Sequence, residues 1–252
     1  MKINIISFNN RHSLSEDCEV ISYCLKKFYR NKKMLFAFHN FQETSCDCAD
    51  VNIFVGLVNN FFFKYAPINI IIIDPHKFDK IWIPYLEKCQ YIICKTEFGK
   101  QLLKPFVPVE KIHVLGWKTV DRLSNTVEKT YNSFLCSVGN SVYRNVELLL
   151  DIWKEEWPEL IIQCNKNYFK HNKIEKKEQK NIIYKEEYLL DKDYENFLNQ
   201  HGLHICLSTA SSFSNTLHNA ISCKSVPIAI DNMLNRDFVT NNVTGFLVKN
   251  KK

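Results

Sequence analysis

The chain has 252 residues, 33 of them basic and 27 acidic, for a formal net charge of +6; 46% are hydrophobic and 13% aromatic. That apolar content excludes a disordered polypeptide, and no run reaches the roughly 18 uninterrupted apolar residues of a membrane helix. Length permits one large domain or two small ones of about 100–150 residues each. The start, Met1-Lys2-Ile3-Asn4-Ile5-Ile6-Ser7, has no apolar signal core and no small-residue cleavage site. A globular, cytoplasmic protein without a transmembrane segment is therefore expected. Five arginines stand against 28 lysines, so the bidentate forks that read bases and grip duplex phosphate are scarce, and no nucleic acid partner is expected. The basic run 166–180 carries Glu175 and Glu178 and reads as a solvated face. Ten cysteines are scattered, mostly in apolar runs (Cys24, Cys89, Cys94, Cys136, Cys206, Cys223), with Cys46-Asp47-Cys48 the one close pair. Without a second pair at zinc spacing they read as reduced, buried thiols.

Strand-like and helix-like runs alternate along the chain. Residues 2–8 form a β-branched strand, and 16–29 carry an apolar stripe of helical period, with Ser15 as the expected cap. Runs 33–38, 51–55, 69–73 and 91–94 are apolar throughout rather than alternating, which marks parallel strands buried on both faces. Residues 111–115 make a last strand, and 118–132 are polar with little apolar period. The pattern restarts with strand 133–138, the turn Gly139-Asn140-Ser141, helix 145–153 and strand 159–164. Strand 182–183, helix 192–200, strand 203–207, helix 215–222 and strand 226–230 follow. Two α/β units in series are expected, with ligands beyond the carboxyl ends of the strands.

Two post-strand segments carry chemistry. Gly139-Asn140-Ser141-Val142-Tyr143-Arg144 joins a glycine turn, a hydroxyl and a cation to a helix start, a combination that can hold a phosphate. It also reads as an ordinary strand-to-helix turn. The segment from Ser208 to Thr216 offers hydroxyls and backbone amides, or else is a polar loop capped by Ser214 or Asn215.

Further segments fall in a fixed order. They are Ile92-Ile93-Cys94-Lys95-Thr96, Gly116-Trp117-Lys118-Thr119-Val120-Asp121, Gly139-Asn140-Ser141-x-x-Arg144 with Glu147-Leu148-Leu149, and Trp153 with Pro158-Glu159-Leu160. After them come His204-Ile205-Cys206-x-Ser208, Ser212-Phe213-Ser214 with Asn219-Ala220, Val226-Pro227, and Asn242 to Val248. As an ordered set covering nearly the whole chain, they resemble the family-four-like branch of the GT-B glycosyltransferases, which use nucleotide-sugar donors.

The resemblance implies an α/β fold of two Rossmann-like domains facing a central cleft. Residues 1–117 would be the acceptor domain, 118–132 a linker and 133–252 the donor domain. It implies that Ser141 and Arg144 contact the donor diphosphate, Arg144 standing where the family has lysine. Gly139, Ser211, Ser212, Phe213, Ser214, Asn215, Thr216 and Asn219 complete the implied donor site. Lys95 and Thr96 match a step lining the cleft, and Asp17 an acidic position with either an acceptor role or one in the helix dipole. His76, in Asp74-Pro75-His76 after a strand, is either a catalytic group or a structural histidine. No Asp-x-Asp or histidine–carboxylate cluster offers a metal site, so no metal and no cofactor beyond the nucleoside diphosphate sugar co-substrate is expected. The expected partners are that sugar nucleotide and a glycan or other acceptor.

The family's two glutamates are replaced by Ser211 and Asn219, and the glycines flanking Phe213 by Ser212 and Ser214. The second glutamate normally accepts from the donor's ribose hydroxyls. Relatives also continue through further helices after the segment ending at Val248, so a partner chain or homo-oligomer bracing the cleft is a further expectation. Three functions stay open: a retaining, metal-independent glycosyltransferase, a glycan- or partner-binding module that has lost catalysis, and a nucleotide-sugar epimerase or hydrolase.

Overall fold

The computed structural model describes residues 1–8, 13–30, 33–76, 78–139, 142–209 and 213–249, with the side chains of all but 13, 142 and 191. The chain divides into two compact units, one of residues 1–117 with 211–213, the other of residues 118–210 with 214–252.

The first unit is a six-stranded, wholly parallel sheet. Its strands are β1 (Lys2–Ser7), β2 (Leu35–Asn40), β3 (Val51–Val55), β4 (Ile68–Ile73), β5 (Tyr91–Cys94) and β6 (Ile112–Val114), in the order β2-β1-β3-β4-β5-β6. Helix α1 (Ser13–Phe28) crosses from β1 to β2, and α2 (Ile83–Leu86) and α3 (Glu97–Leu103) lie further along. Both faces of the sheet are buried, as continuous apolar runs require. Ile3, Ile5, Ile53 and Val55 meet α1, while Ile6, Phe54, Ile71, Ile73 and Ile92 fill the other face. Helix α1 begins at Ser13, so Ser15 lies inside its first turn rather than capping it, and Glu16 there complements the dipole.

The strands are not apolar throughout. Asn4, Asn52 and Asn69 occupy matched positions on β1, β3 and β4 and are all buried. Asn4 Nδ2 donates to Asn52 Oδ1 at 3.0 Å, and Asn52 Nδ2 donates to Asn69 Oδ1 at 2.9 Å and to the Phe62 carbonyl at 2.8 Å. Three amides are thus linked across the sheet, with only the buried Asn4 Oδ1 left without a partner among the described residues.

The second unit is also a six-stranded parallel sheet. Strands β7 (Thr130–Gly139), β8 (Glu159–Cys164), β9 (Ile182–Lys185), β10 (His201–Cys206), β11 (Val226–Ile230) and β12 (Phe246–Val248) stand in the order β12-β11-β10-β7-β8-β9. Helices α4 (Val146–Ile152), α5 (Tyr168–Asn172), α6 (Asp191–Gln200), α7 (Asn215–Ser222) and α8 (Met233–Arg236) cover it.

Several boundaries differ from the sequence expectation. Strand β7 starts at Thr130 because Thr130 pairs with His201, so the last residues of the expected linker are strand. The expected helix 145–153 is the seven-residue α4 with a left-handed Asn145 at its N-cap, φ 52°, preceded by a 3-10 turn at Val142–Arg144. Asparagine tolerates that conformation, and it sets the start of the helix at Val146. The basic run 166–180 includes α5, whose Tyr168 and Phe169 are buried in the core. Cys24 and Cys48 are exposed, whereas Cys18, Cys89, Cys94, Cys136, Cys164, Cys206 and Cys223 are buried free thiols.

Candidate functional site

In each sheet the chain leaves one central strand outward and returns on its other side. In the second unit this reversal falls between neighbouring β7 and β10, at whose carboxyl ends sheets of this kind form a crevice. Gly139, at φ 57°, turns the chain out of β7 in a conformation that favours glycine. The 3-10 turn after it is tied to the segment after β10: Thr209 N–H donates to the Tyr143 carbonyl at 3.1 Å, and Asn145 Nδ2 to the Leu207 carbonyl at 2.8 Å.

Arg144 is the cation of this crevice. Its Nη1 donates to Thr216 Oγ1 in the first turn of α7 at 2.7 Å, while its buried Nε has no partner among the described residues. The groups around it are Cys136, Cys206, Tyr194 and Tyr168, and none is a carboxylate. Burial pushes the Cys136 and Cys206 thiols and the Tyr168 phenol up to about 12, so they stay neutral. Burial also pulls Arg144 below the ordinary guanidinium value. A cation desolvated among neutral groups is costly unless an anion offsets its charge.

Beside it runs a second polar chain. Asn219, in α7 and buried, accepts at Oδ1 from Arg122 Nε at 3.3 Å and donates through Nδ2 to the Tyr194 hydroxyl at 3.3 Å. Arg122 Nη1 meets Glu195 Oε1 on α6 at 3.1 Å, and Tyr194 reaches Ser137 Oγ at 3.4 Å, which donates to Gln163 Oε1 at 2.7 Å. Arg122, Tyr194 and Glu195 carried no motif in the sequence. Their roles come from partners up to 97 positions away, and a cation in an otherwise polar stretch was the only signal.

The remaining expected residues are placed as follows. Ser141, Ser211 and Ser212 lie outside the described residues. Ser214 is buried at the N-cap of α7 without a side-chain capping bond, and Asn215 opens that helix. Phe213 groups with the first unit and is buried against Trp117 in the cluster around α1. Asp17 and Lys95 form a buried ion pair, Nζ to Oδ2 at 2.5 Å, with the Lys95 ammonium 4.8 Å from the Trp117 ring centre and 4.9 Å from that of Phe213. Burial holds the Asp17 carboxyl above its usual range, against the pull of Lys95. Thr96 caps α3, its hydroxyl accepting from Gly99 N–H at 3.1 Å. His76 is exposed, its ring 5.6 Å from that of Phe98. Among the described residues no group of three or more histidine, cysteine, aspartate or glutamate side chains is placed to hold a metal ion.

No family model and no curated protein matches the chain. Solved structures do. HepE from Anabaena, in complex with UDP and glucose, superposes with a TM-score of 0.69 at 12% identity over 99% of this chain and 86% of that one. An α-glucosyltransferase in complex with UDP-glucose and DNA containing an abasic site gives 0.60 at 10% identity over 91% and 79%. The GtfA/B complex gives 0.58 at 16% identity over 92% of this chain, which spans only 49% of that one. The architecture is accordingly the GT-B class of α/β fold, two Rossmann-like parallel sheets in series.

Proposed function

We propose that the chain is a glycosyltransferase moving a sugar from a nucleoside diphosphate sugar to a glycan or other acceptor, with retention and without a metal. The observation that carries this is Arg144, a desolvated guanidinium at the strand-reversal crevice with neutral neighbours and an unpartnered Nε. A diphosphate supplies the missing charge, and its departure is the step a fixed cation accelerates. The neighbours of like fold crystallised with UDP or UDP-glucose support a donor of that chemistry. In this reading residues 133–252 hold the donor, 118–132 link, and 1–117 hold the acceptor. Gly139 lets the backbone approach the phosphates, Thr216 orients Arg144, and catalysis rests on positioning plus stabilisation of the leaving diphosphate.

A second reading, a binding module without transfer activity, is favoured by Asn219, whose amide oxygen and nitrogen are both engaged inside the protein. Calorimetry and product assays with a panel of nucleoside diphosphate sugars, on wild type and Arg144→Ala, separate the two. Nucleotide binding and transfer, both lost in Arg144→Ala, support the enzyme. Glycan binding with no nucleotide binding and no turnover supports the module and sinks the first reading.

A further inference from the structure

Strand β2 forms one edge of the first sheet, and among the described residues no strand pairs with its outer side. It runs against β1 residue for residue, from Leu35 opposite Lys2 to Asn40 opposite Ser7, without a bulge. Its sequence, Leu-Phe-Ala-Phe-His-Asn, carries no lysine, arginine, carboxylate or proline, and Leu35 and Phe38 are 53% and 58% exposed. Sheet edges are ordinarily blunted by shortness, charge or bulges. The other edges follow that rule: β6 and β12 have three residues each, and β9 has four and ends in Lys185. Strand β2 has six and no such device. Its main chain shows what the edge offers. Leu35 N–H donates to the Met1 carbonyl and Phe41 N–H to that of Ser7, so the odd-numbered residues face β1. Phe36, Phe38 and Asn40 therefore turn their N–H and C=O groups outward. Glu43 Oε1 takes the Asn40 N–H at 3.0 Å, while the outward groups of Phe36 and Phe38 have no partner among the described residues.

We propose that β2 pairs antiparallel with β2 of a second copy of this chain, about a two-fold axis at Ala37. In that register Phe36 exchanges both backbone hydrogen bonds with the partner's Phe38, and Phe38 with the partner's Phe36. The open groups of both strands are then satisfied at once. The same pairs set phenyl against phenyl on one face of the joined sheet, a stabilising cross-strand contact. No charge falls within the paired stretch, and the antiparallel sense brings the Lys33 end of one strand to the Glu43 end of the other. A parallel pairing sets like ends together. An axis moved to Phe38 sets Phe36 against Asn40, whose N–H is already engaged. The strand is thus complementary to itself, which favours a second copy over an extended segment of another protein. A two-fold contact of this kind also closes, so it uses up the edge without propagating.

The test is sedimentation velocity of the full chain over a wide range of concentration, where a reversible dimer that grows with concentration is expected. Phe38→Lys sets an ammonium against the partner's Phe36 and should raise the dissociation constant by at least about tenfold, from the two phenyl groups lost to the contact. Circular dichroism melts check that this exposed substitution leaves the chain folded. Ala37→Cys reads the register directly. It places two thiols on the axis, where Cα atoms of a non-hydrogen-bonded pair stand about 4.5 Å apart, within disulfide reach. In a buffer of oxidised glutathione, which takes up the two electrons and two protons, this variant should give a covalent dimer linked through position 37 by peptide mapping. Wild type under the same conditions controls for the exposed Cys24 and Cys48. A monomer at every concentration overturns the proposal. So does a dimer that Phe38→Lys leaves unchanged, or an Ala37→Cys protein that does not cross-link at position 37.

Discussion

Asn219 Oδ1 accepts a hydrogen bond from Arg122 Nε at 3.3 Å, and the same guanidinium reaches Glu195 through Nη1. The carboxylate that the resemblance places at position 219 is thus exchanged for an amide, while a carboxylate on α6 stands on the other side of one shared cation. Arg122→Leu leaves the buried Asn219 carbonyl without its donor and is expected to lower the unfolding free energy by about 1–3 kcal/mol, read from urea denaturation. Because Glu195 is partly exposed, its share of that loss is small. Asn219→Glu is expected to fold with little change and to raise UDP affinity several-fold, measured by calorimetry.

Stability and ligand binding should move in opposite directions at Arg144. Arg144→Met removes a desolvated cation and keeps most of the side-chain volume, so the unfolding free energy is expected to hold or rise by about 1 kcal/mol. UDP binding is expected to fall by more than tenfold in the same protein. A variant that lost both together would show Arg144 to be chiefly structural.

Chelation gives a third prediction. Transfer measured after exhaustive treatment with EDTA is expected to equal that of the untreated protein, since Arg144 takes the leaving-group charge in the proposed mechanism. Loss restored by a divalent cation would contradict metal independence.

The amide ladder across β1, β3 and β4 sets a fourth. Asn52→Leu strips Asn69 Oδ1 of a donor and Asn4 Nδ2 of an acceptor, at buried positions of the sheet. The expected loss is about 2–4 kcal/mol, seen as an earlier urea midpoint.

Acid should loosen the second unit through two histidines on β10. Burial lowers His201 and His204 from 6.5 to about 4, with Lys129 adding to both shifts. The His204 Nε2–H donates to the Leu198 and His201 carbonyls at 3.2 and 2.9 Å. Between these two values the unfolded chain binds protons that the folded chain refuses. Stability is therefore fully present above pH 6.5 and falls as pH drops toward 4, by at most about 3 kcal/mol per histidine. Urea midpoints across that range check the slope.

The parallel sheets were legible because their strands read as largely apolar runs, and the Gly139–Arg144 turn because a glycine and a cation directly follow such a run. Other features were hidden because they depend on register. Asn4 and Asn52 lie 48 positions apart, and only the pairing of β1 with β3 brings them together. Arg122 and Glu195 are 73 apart, and Arg122 lies in a polar stretch with little apolar period. Asp17 and Lys95 were each singled out, but that they neutralise each other follows from α1 and the end of β5 meeting in space. The left-handed torsion of Asn145 at the N-cap of α4 is a choice that composition does not announce.

The position of β7 also governs when Arg144 meets Thr216. Phe134 pairs with Leu160 on one side and with Leu203 on the other. As the chain emerges during synthesis, β7, β8 and β9 can assemble first, with Arg144 already in place on a sheet whose β7 edge is bare. Thr216, the hydroxyl that aims Arg144, arrives only after β10 has zipped onto that edge. The long-range pairing is the slow one, and until it forms an unpaired parallel strand is open to association with other chains. The contact of Arg144 with Thr216 thus depends on the pairing of β7 with β10.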